Sequence, residues 1–412
     1  QHQLLTDKQV AGWLRGAQQE DLNDIEQANL REMTRHYQQA ALLPESLVEA
    51  KSLAGSRCEH AWRAQRPAND WQGFAENLKQ VVKLSREEAT LRADARGCSP
   101  YDALLDLYEP DMTSARLDSL FGDLKSWLPD LLKKVTDKQA QQTLIAPQGP
   151  FPIATQRELG IDAMTLLGFD FNAGRLDVSA HPFCGGVPED VRITTRYDEN
   201  EMLSALFGVV HETGHARYEQ NLPREWLGQP VALARSTAIH ESQSLFFEMQ
   251  LGRSDAFIKN LLPAVIQRFG AQPAFALDNF VGWNQRVETG YIRVDADEVS
   301  YPAHVILRYE IERALIDGEI EVDDIPALWD EKMQAWLGLS TKGNYRNGCM
   351  QDIHWTDGSF GYFPSYTLGA MYAAQLFAAA RKALPGLDEA IAAGNFSALF
   401  DWLRQNIWQH GS

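Results

Sequence analysis

The chain of 412 residues sets 38 basic against 56 acidic side chains, a net charge of −18, with 44% hydrophobic residues. That content supports a large buried core, while the charge repels nucleic acid and disfavours an anionic membrane surface. No apolar run nears the roughly 20 residues of a membrane span, the opening QHQLLTDKQV lacks a basic-then-apolar leader pattern, and Cys58, Cys98, Cys184 and Cys349 form no CxxC pair, so a reducing, cytoplasmic setting is expected.

From the first residue to about 145, apolar residues recur at three- and four-residue spacing, which predicts long helices. The stretches TDKQ (Thr6, Gln9) and SREE (Ser85, Glu88) read as capping boxes. Between about 174 and 197, GRLDVSAHPFCGG and DVRITTRY gather β-formers around the turn-like GGVPED, predicting a small hairpin or edge sheet. The helical pattern resumes through ENEMLSALFGVVHETGHARYEQ, VALARSTAIHESQSLFFEMQLG and PAHVILRYEIERALIDG. A Gly- and aromatic-rich loop at 343 to 365 precedes the last helices, which begin with SYTLGAMYAAQ. No repeat, low-complexity tract or linker divides the chain, so residues 1–412 are expected to form a single domain.

The stretch HETGH carries chemistry. On the helix predicted around 201 to 220, Leu203, Leu206, Phe207 and Val210 form an apolar stripe, with His211 and His215 one turn apart on nearly the same side. Two imidazoles so placed reach one metal ion, and Glu212, one position round, stands where a general base can take a proton from water. A third ligand is expected on the next helix. There Ala234, Ala238, Glu241 and Leu245 share a face, and an unpaired carboxylate in a small-residue stripe would be costly. Two histidines and Glu241 would then bind zinc, with cobalt or manganese accepted by the same donors. His240 points about 100° away from Glu241 and is expected to support the ligands or the fold.

Six motifs in order, HPF (181–183), DVRIT (190–194), HETGH (211–215), HESQS (240–244), IRVDAD (292–297) and GCMQDIHW (348–355), resemble those of the carboxypeptidase Taq family of metallocarboxypeptidases. The resemblance implies a mainly α fold with a deep central groove, similar to neurolysin and angiotensin-converting enzyme, usually a homodimer. It implies a single metallocarboxypeptidase domain releasing single C-terminal residues from peptides with broad specificity. By motif, His211, His215 and Glu241 would bind the metal and Glu212 would be the base. Family members generally extend upstream and downstream of this sequence, which is expected to lack those segments.

An exopeptidase also needs a cation for the terminal carboxylate and donors for the developing oxyanion. Arg293 in IRVDAD is the candidate for the first, against a simple ion pair with Asp295 or Asp297. His354 and Tyr366, which the resemblance turns towards the metal, are the candidates for the second. Asp190 with Arg192, and His181, are read as structural, and Asp352 as orienting His354 or another loop group. Two other functions fit parts of the pattern: an oligopeptidase that cuts internal bonds, and a non-catalytic helical binding protein with a relic metal site.

Overall fold

The computed structural model describes residues 2–179 and 182–412, so His181 lies outside the described residues. Helices make up most of the fold. Among them are Asp24–Ala41, Glu45–Gln65, Trp71–Arg96, Ser114–Gln139, Ile153–Leu166, Leu203–Gln220, Asp255–Phe269, Tyr301–Ile316 and Pro364–Ala383. Local chemistry sets their ends: Asp70 accepts the amide of Gly73 at the start of Trp71–Arg96, and Gly97, at φ 69°, closes it in the left-handed conformation.

Neither predicted capping box is found. Asp7, not Thr6, caps Lys8–Ala17 by accepting the Gln9 amide. Ser85 and Glu88 are buried in the interior of Trp71–Arg96. Apolar packing on both sides of SREE continues that helix, so a local cap signal is overridden by tertiary burial.

The predicted β region is a three-stranded sheet. Strands β1 (Gly174–Val178), β2 (Phe183–Val187) and β3 (Asp190–Thr195) are ordered β1-β3-β2. Strand β1 runs parallel to β3, with Leu176 opposite Ile193; β2 runs antiparallel to it, with Cys184 opposite Ile193. Leu176, Val191 and Ile193 turn one face onto Val209 and Ala216 of the helix Leu203–Gln220. Position 211 lies roughly 200° around that helix from 209, so the sheet backs the helix while its histidines face away.

That helix is more deeply enclosed than a single stripe implies. Ala205, Leu206, Phe207, Val209, Val210, Thr213, Gly214, Ala216 and Tyr218 are all buried, whereas Leu203 is only partly so. The following ligand helix starts at Thr237, with Ser236 as its cap, which leaves Ala234 outside it. Glycines set two close crossings. A Cβ on Gly214 would lie 2.4 Å from the Gln243 carbonyl oxygen, and one on Gly369 would lie 2.8 Å from the Glu241 Cβ. The absence of side chains at these two positions brings Leu203–Gln220 and Pro364–Ala383 against the short helix that carries Glu241.

Candidate metal centre and active site

Each ligand candidate is delivered by a helix held at one of those crossings. His211 Nε2 lies 3.6 Å from Glu241 Oε1, and His215 Nε2 lies 3.5 Å from Oε2. One ligand atom from each of the three residues falls within 4.8 Å of the others. Ligand atoms held about 2.0–2.1 Å from a tetrahedral ion stand about 3.4 Å apart, so the two imidazole–carboxylate distances suit a small divalent cation. Its chemistry also fits, since Glu241 Oε1 is buried without a hydrogen-bond partner. The His211 and His215 side chains keep 21% and 14% of their surface exposed, which leaves the cradle open to solvent.

The other ring nitrogens are also occupied. His211 Nδ1 is 2.9 Å from Glu248 Oε2, a carboxylate that Arg253 holds from behind at 3.3 Å. Glu248 sits where the Thr237–Leu245 helix widens into a π turn over Phe246–Gly252, an irregularity that offsets the helical register. His215 Nδ1 lies 2.7 Å from His240 Nδ1, and His240 Nε2 lies 2.7 Å from Glu219 Oε1. These contacts fix both Nδ1 atoms as proton carriers and leave both Nε2 lone pairs for a cation.

Without a cation the electrostatics are uneven. Burial pushes the His211 imidazole down, but the Glu248 hydrogen bond and the charges of Glu241 and Glu212 outweigh it and lift it to about 10. For His215 burial wins, and its pKa falls to about 4 against the opposing pull of Glu241. Burial would raise Glu241, yet His215, His211 and Arg293 hold it down to about 2, as an anion. Glu212 is 6% exposed and, among the described residues, has no hydrogen-bond or ion-pair partner. Burial first, then the repulsion of Glu241 and Glu248, raises it to about 7 in spite of His211.

Arg293 and the loop residues close another side. Arg293 lies in a short turn, buried, with Nε donating to Asp352 Oδ1 at 3.0 Å and Nη1 to the Tyr301 hydroxyl at 3.3 Å. Its guanidinium lies 4.4 Å from the Tyr366 ring centroid. Neither anticipated partner holds it: Asp297 accepts from Val299 and Ser300, and Asp295 lies 3.4 Å from Arg196. Asp352 binds Arg293 and Arg308 rather than His354. His354 Nε2 meets the Tyr366 hydroxyl at 2.9 Å. Burial, with the charge of Arg293, lowers His354 to about 3, so the ring is neutral. Asp190 and Arg192 pair at 2.6 Å on the exposed surface of β3.

A model of the carboxypeptidase Taq (M32) metallopeptidase family matches residues 1–412. The chain belongs to this family. It is 40% identical over 424 aligned positions to thermostable carboxypeptidase 1 of Thermus thermophilus, a match covering all of this chain and 83% of that protein. To carboxypeptidase 1 of Bacillus subtilis it is 37% identical, over 95% of this chain and 78% of that one. The solved structure of Trypanosoma cruzi metallocarboxypeptidase 1 superposes with a TM-score of 0.96 at 49% identity, covering all of this chain and 83% of that chain. The protein is thus a metallocarboxypeptidase hydrolase with the helical fold of the M32 family, as the motifs imply.

The site also contains residues that motif reading passed over: Glu219, Glu248, Tyr301 and Arg308. Glu219 follows His215 by one turn, and Glu248 follows Glu241 by two, so helical spacing could have flagged both. Tyr301 and Arg308 gave no such signal, because their contacts depend on how a distant helix packs.

Proposed function

We propose that His211, His215 and Glu241 hold zinc, that Glu212 is the general base, and that the enzyme releases single C-terminal residues from peptides with broad specificity. The observation that carries this reading is the convergence of two imidazole Nε2 atoms on the two oxygens of one buried carboxylate. A divalent cation in that cradle supplies Lewis acidity, lowering the pKa of water towards about 7 and polarising the peptide carbonyl. Cobalt and manganese suit the same donors, and metal analysis of the purified enzyme decides among the three.

Glu212, buried beside the cradle and without a hydrogen-bond or ion-pair partner among the described residues, is free to exchange a proton. It takes a proton from the attacking water and passes it to the leaving amine. His354 is neutral; in the tautomer with its proton on Nε2 it donates to the Tyr366 oxygen, and the phenolic O–H is then left to donate to the developing oxyanion. Arg293 Nη2 has no partner among the described residues, and it binds the terminal carboxylate of the substrate.

The test is a mass-spectrometric time course on one peptide with a free C-terminus and the same peptide as its amide. Stepwise loss from the free peptide alone is expected; cleavage of both at internal bonds would make the enzyme an oligopeptidase. The reading also includes a cytoplasmic homodimer, on the family resemblance and the four free thiols, to be tested by light scattering and cell fractionation. No helix among the described residues is long and apolar enough to cross a membrane.

A further inference from the structure

Arg308, on the helix Tyr301–Ile316, takes no part in the chemistry above and is wholly buried. A buried guanidinium requires partners. Its Nε donates to Asp352 Oδ2 at 2.7 Å and its Nη1 donates to the His304 carbonyl at 2.6 Å, while Nη2 lies 2.6 Å from the same carboxylate oxygen as an ion-pair contact that makes no hydrogen bond. Its guanidinium also lies 4.5 Å from the Trp329 ring centroid. Arg308 is therefore gripped on several sides.

Arg293 reaches the other oxygen of the same carboxylate, through Nε alone. Two cations share one anion, so the cluster keeps one positive charge. A lone Arg–carboxylate pair favours two parallel N–H···O bonds. An Asp352 free to turn could adopt that geometry on Arg293, taking up its donors and cancelling its charge.

We propose that Arg308 is a positioning residue for the carboxypeptidase reaction. By holding one oxygen of Asp352, it keeps that carboxylate from closing bidentately on Arg293, and so preserves Arg293 Nη2 and a net positive charge for the terminal carboxylate of the substrate. The inference rests on the reading of Arg293 as the carboxylate anchor.

The test is a double-mutant cycle on the metal-loaded enzyme with Arg308→Met and Asp352→Asn, using a peptide with a free C-terminus. Its companion is the Kd of that peptide and of its amide, measured in a Glu212→Gln background. Arg308→Met is expected to raise KM and the free-peptide Kd on the order of tenfold or more, with kcat and the amide Kd little changed. In the Asp352→Asn background, where no anion remains to neutralise Arg293, adding Arg308→Met leaves KM unchanged. Full additivity, or equal weakening of free and amidated peptides, would reduce Arg308 to a structural role and overturn the proposal. If the Met variant does not fold, Arg308→Lys replaces it: a single ammonium grips Asp352 less firmly, so an intermediate rise in KM is expected, and an unchanged KM overturns the proposal. Arg293→Met separates the two readings. If it leaves the free-peptide KM unchanged, the anchor itself is wrong; if it raises KM while Arg308 variants do not, only the positioning role fails.

Discussion

His215 Nδ1 and His240 Nδ1 lie 2.7 Å apart, and a hydrogen bond between them requires that only one of the two carry the proton. The carboxylate of Glu219 at His240 Nε2 decides which. Facing an acceptor, His240 keeps its hydrogen on Nε2, so its Nδ1 accepts from His215 and the His215 Nε2 lone pair is left for a cation. Glu219, with His240 and His215 between it and the cation, thus selects the tautomer of the ligand His215.

Breaking this relay should weaken metal binding without removing a ligand. His240→Ala and Glu219→Gln are each expected to lower zinc affinity by about 10- to 100-fold. Competition with a chromogenic chelator measures the change, and an unaltered affinity in both variants would separate the relay from the metal site.

The Gly214 crossing gives a second expectation. Alanine is the better helix former by about 1 kcal/mol, yet a Cβ at Gly214 would lie 2.4 Å from one backbone atom and 2.7 Å from another across the interface. Backbone cannot move aside as a flexible side chain can, so Gly214→Ala should destabilise the protein by about 1–3 kcal/mol. Zinc affinity should fall with it, because Glu241 lies on the displaced helix. Urea unfolding and chelator competition check both effects.

Glu312 makes stability depend on pH. It is wholly buried and accepts from the Tyr101 hydroxyl, the Trp355 indole and the Gly361 amide. Burial outweighs these bonds and the nearby Arg308 charge, raising its pKa from 4.5 to about 7. A carboxyl raised on folding contributes stability that is fully present below its unfolded value and lost as pH rises through the folded one. The window is therefore about pH 4.5 to 7, with a loss on the order of 3 kcal/mol across it. Glu312→Gln has no titrating group there, so its unfolding midpoint should vary less between pH 5 and pH 7 than that of the parent enzyme.

The helices, the small sheet and the cradle residues His211, His215 and Glu241 were legible because they depend on spacing within a helix or on motif order. The supporting contacts were less so. Asp352 stands two residues from His354, which made it look like that residue's partner, but the packing of Tyr301–Ile316 brings Arg308 to it instead. Glu248 reaches His211 only where the helix widens into a π turn, which no apolar periodicity announces. Ser85 and Glu88 have the spacing of a cap, and burial from both sides overrides it. Local pattern located the ligands, whereas the residues that aim them are set by helix crossings in which Gly214 and Gly369 matter for the side chains they lack.

The most direct test of the proposed chemistry is the turnover of the metal-loaded Glu212→Gln variant. The substitution keeps size and polarity but cannot accept a proton. With one metal ion bound per chain, its activity on a free-C-terminus peptide should fall by about 10²- to 10⁴-fold. A fully loaded Gln variant that kept near-normal turnover would contradict Glu212 as the base.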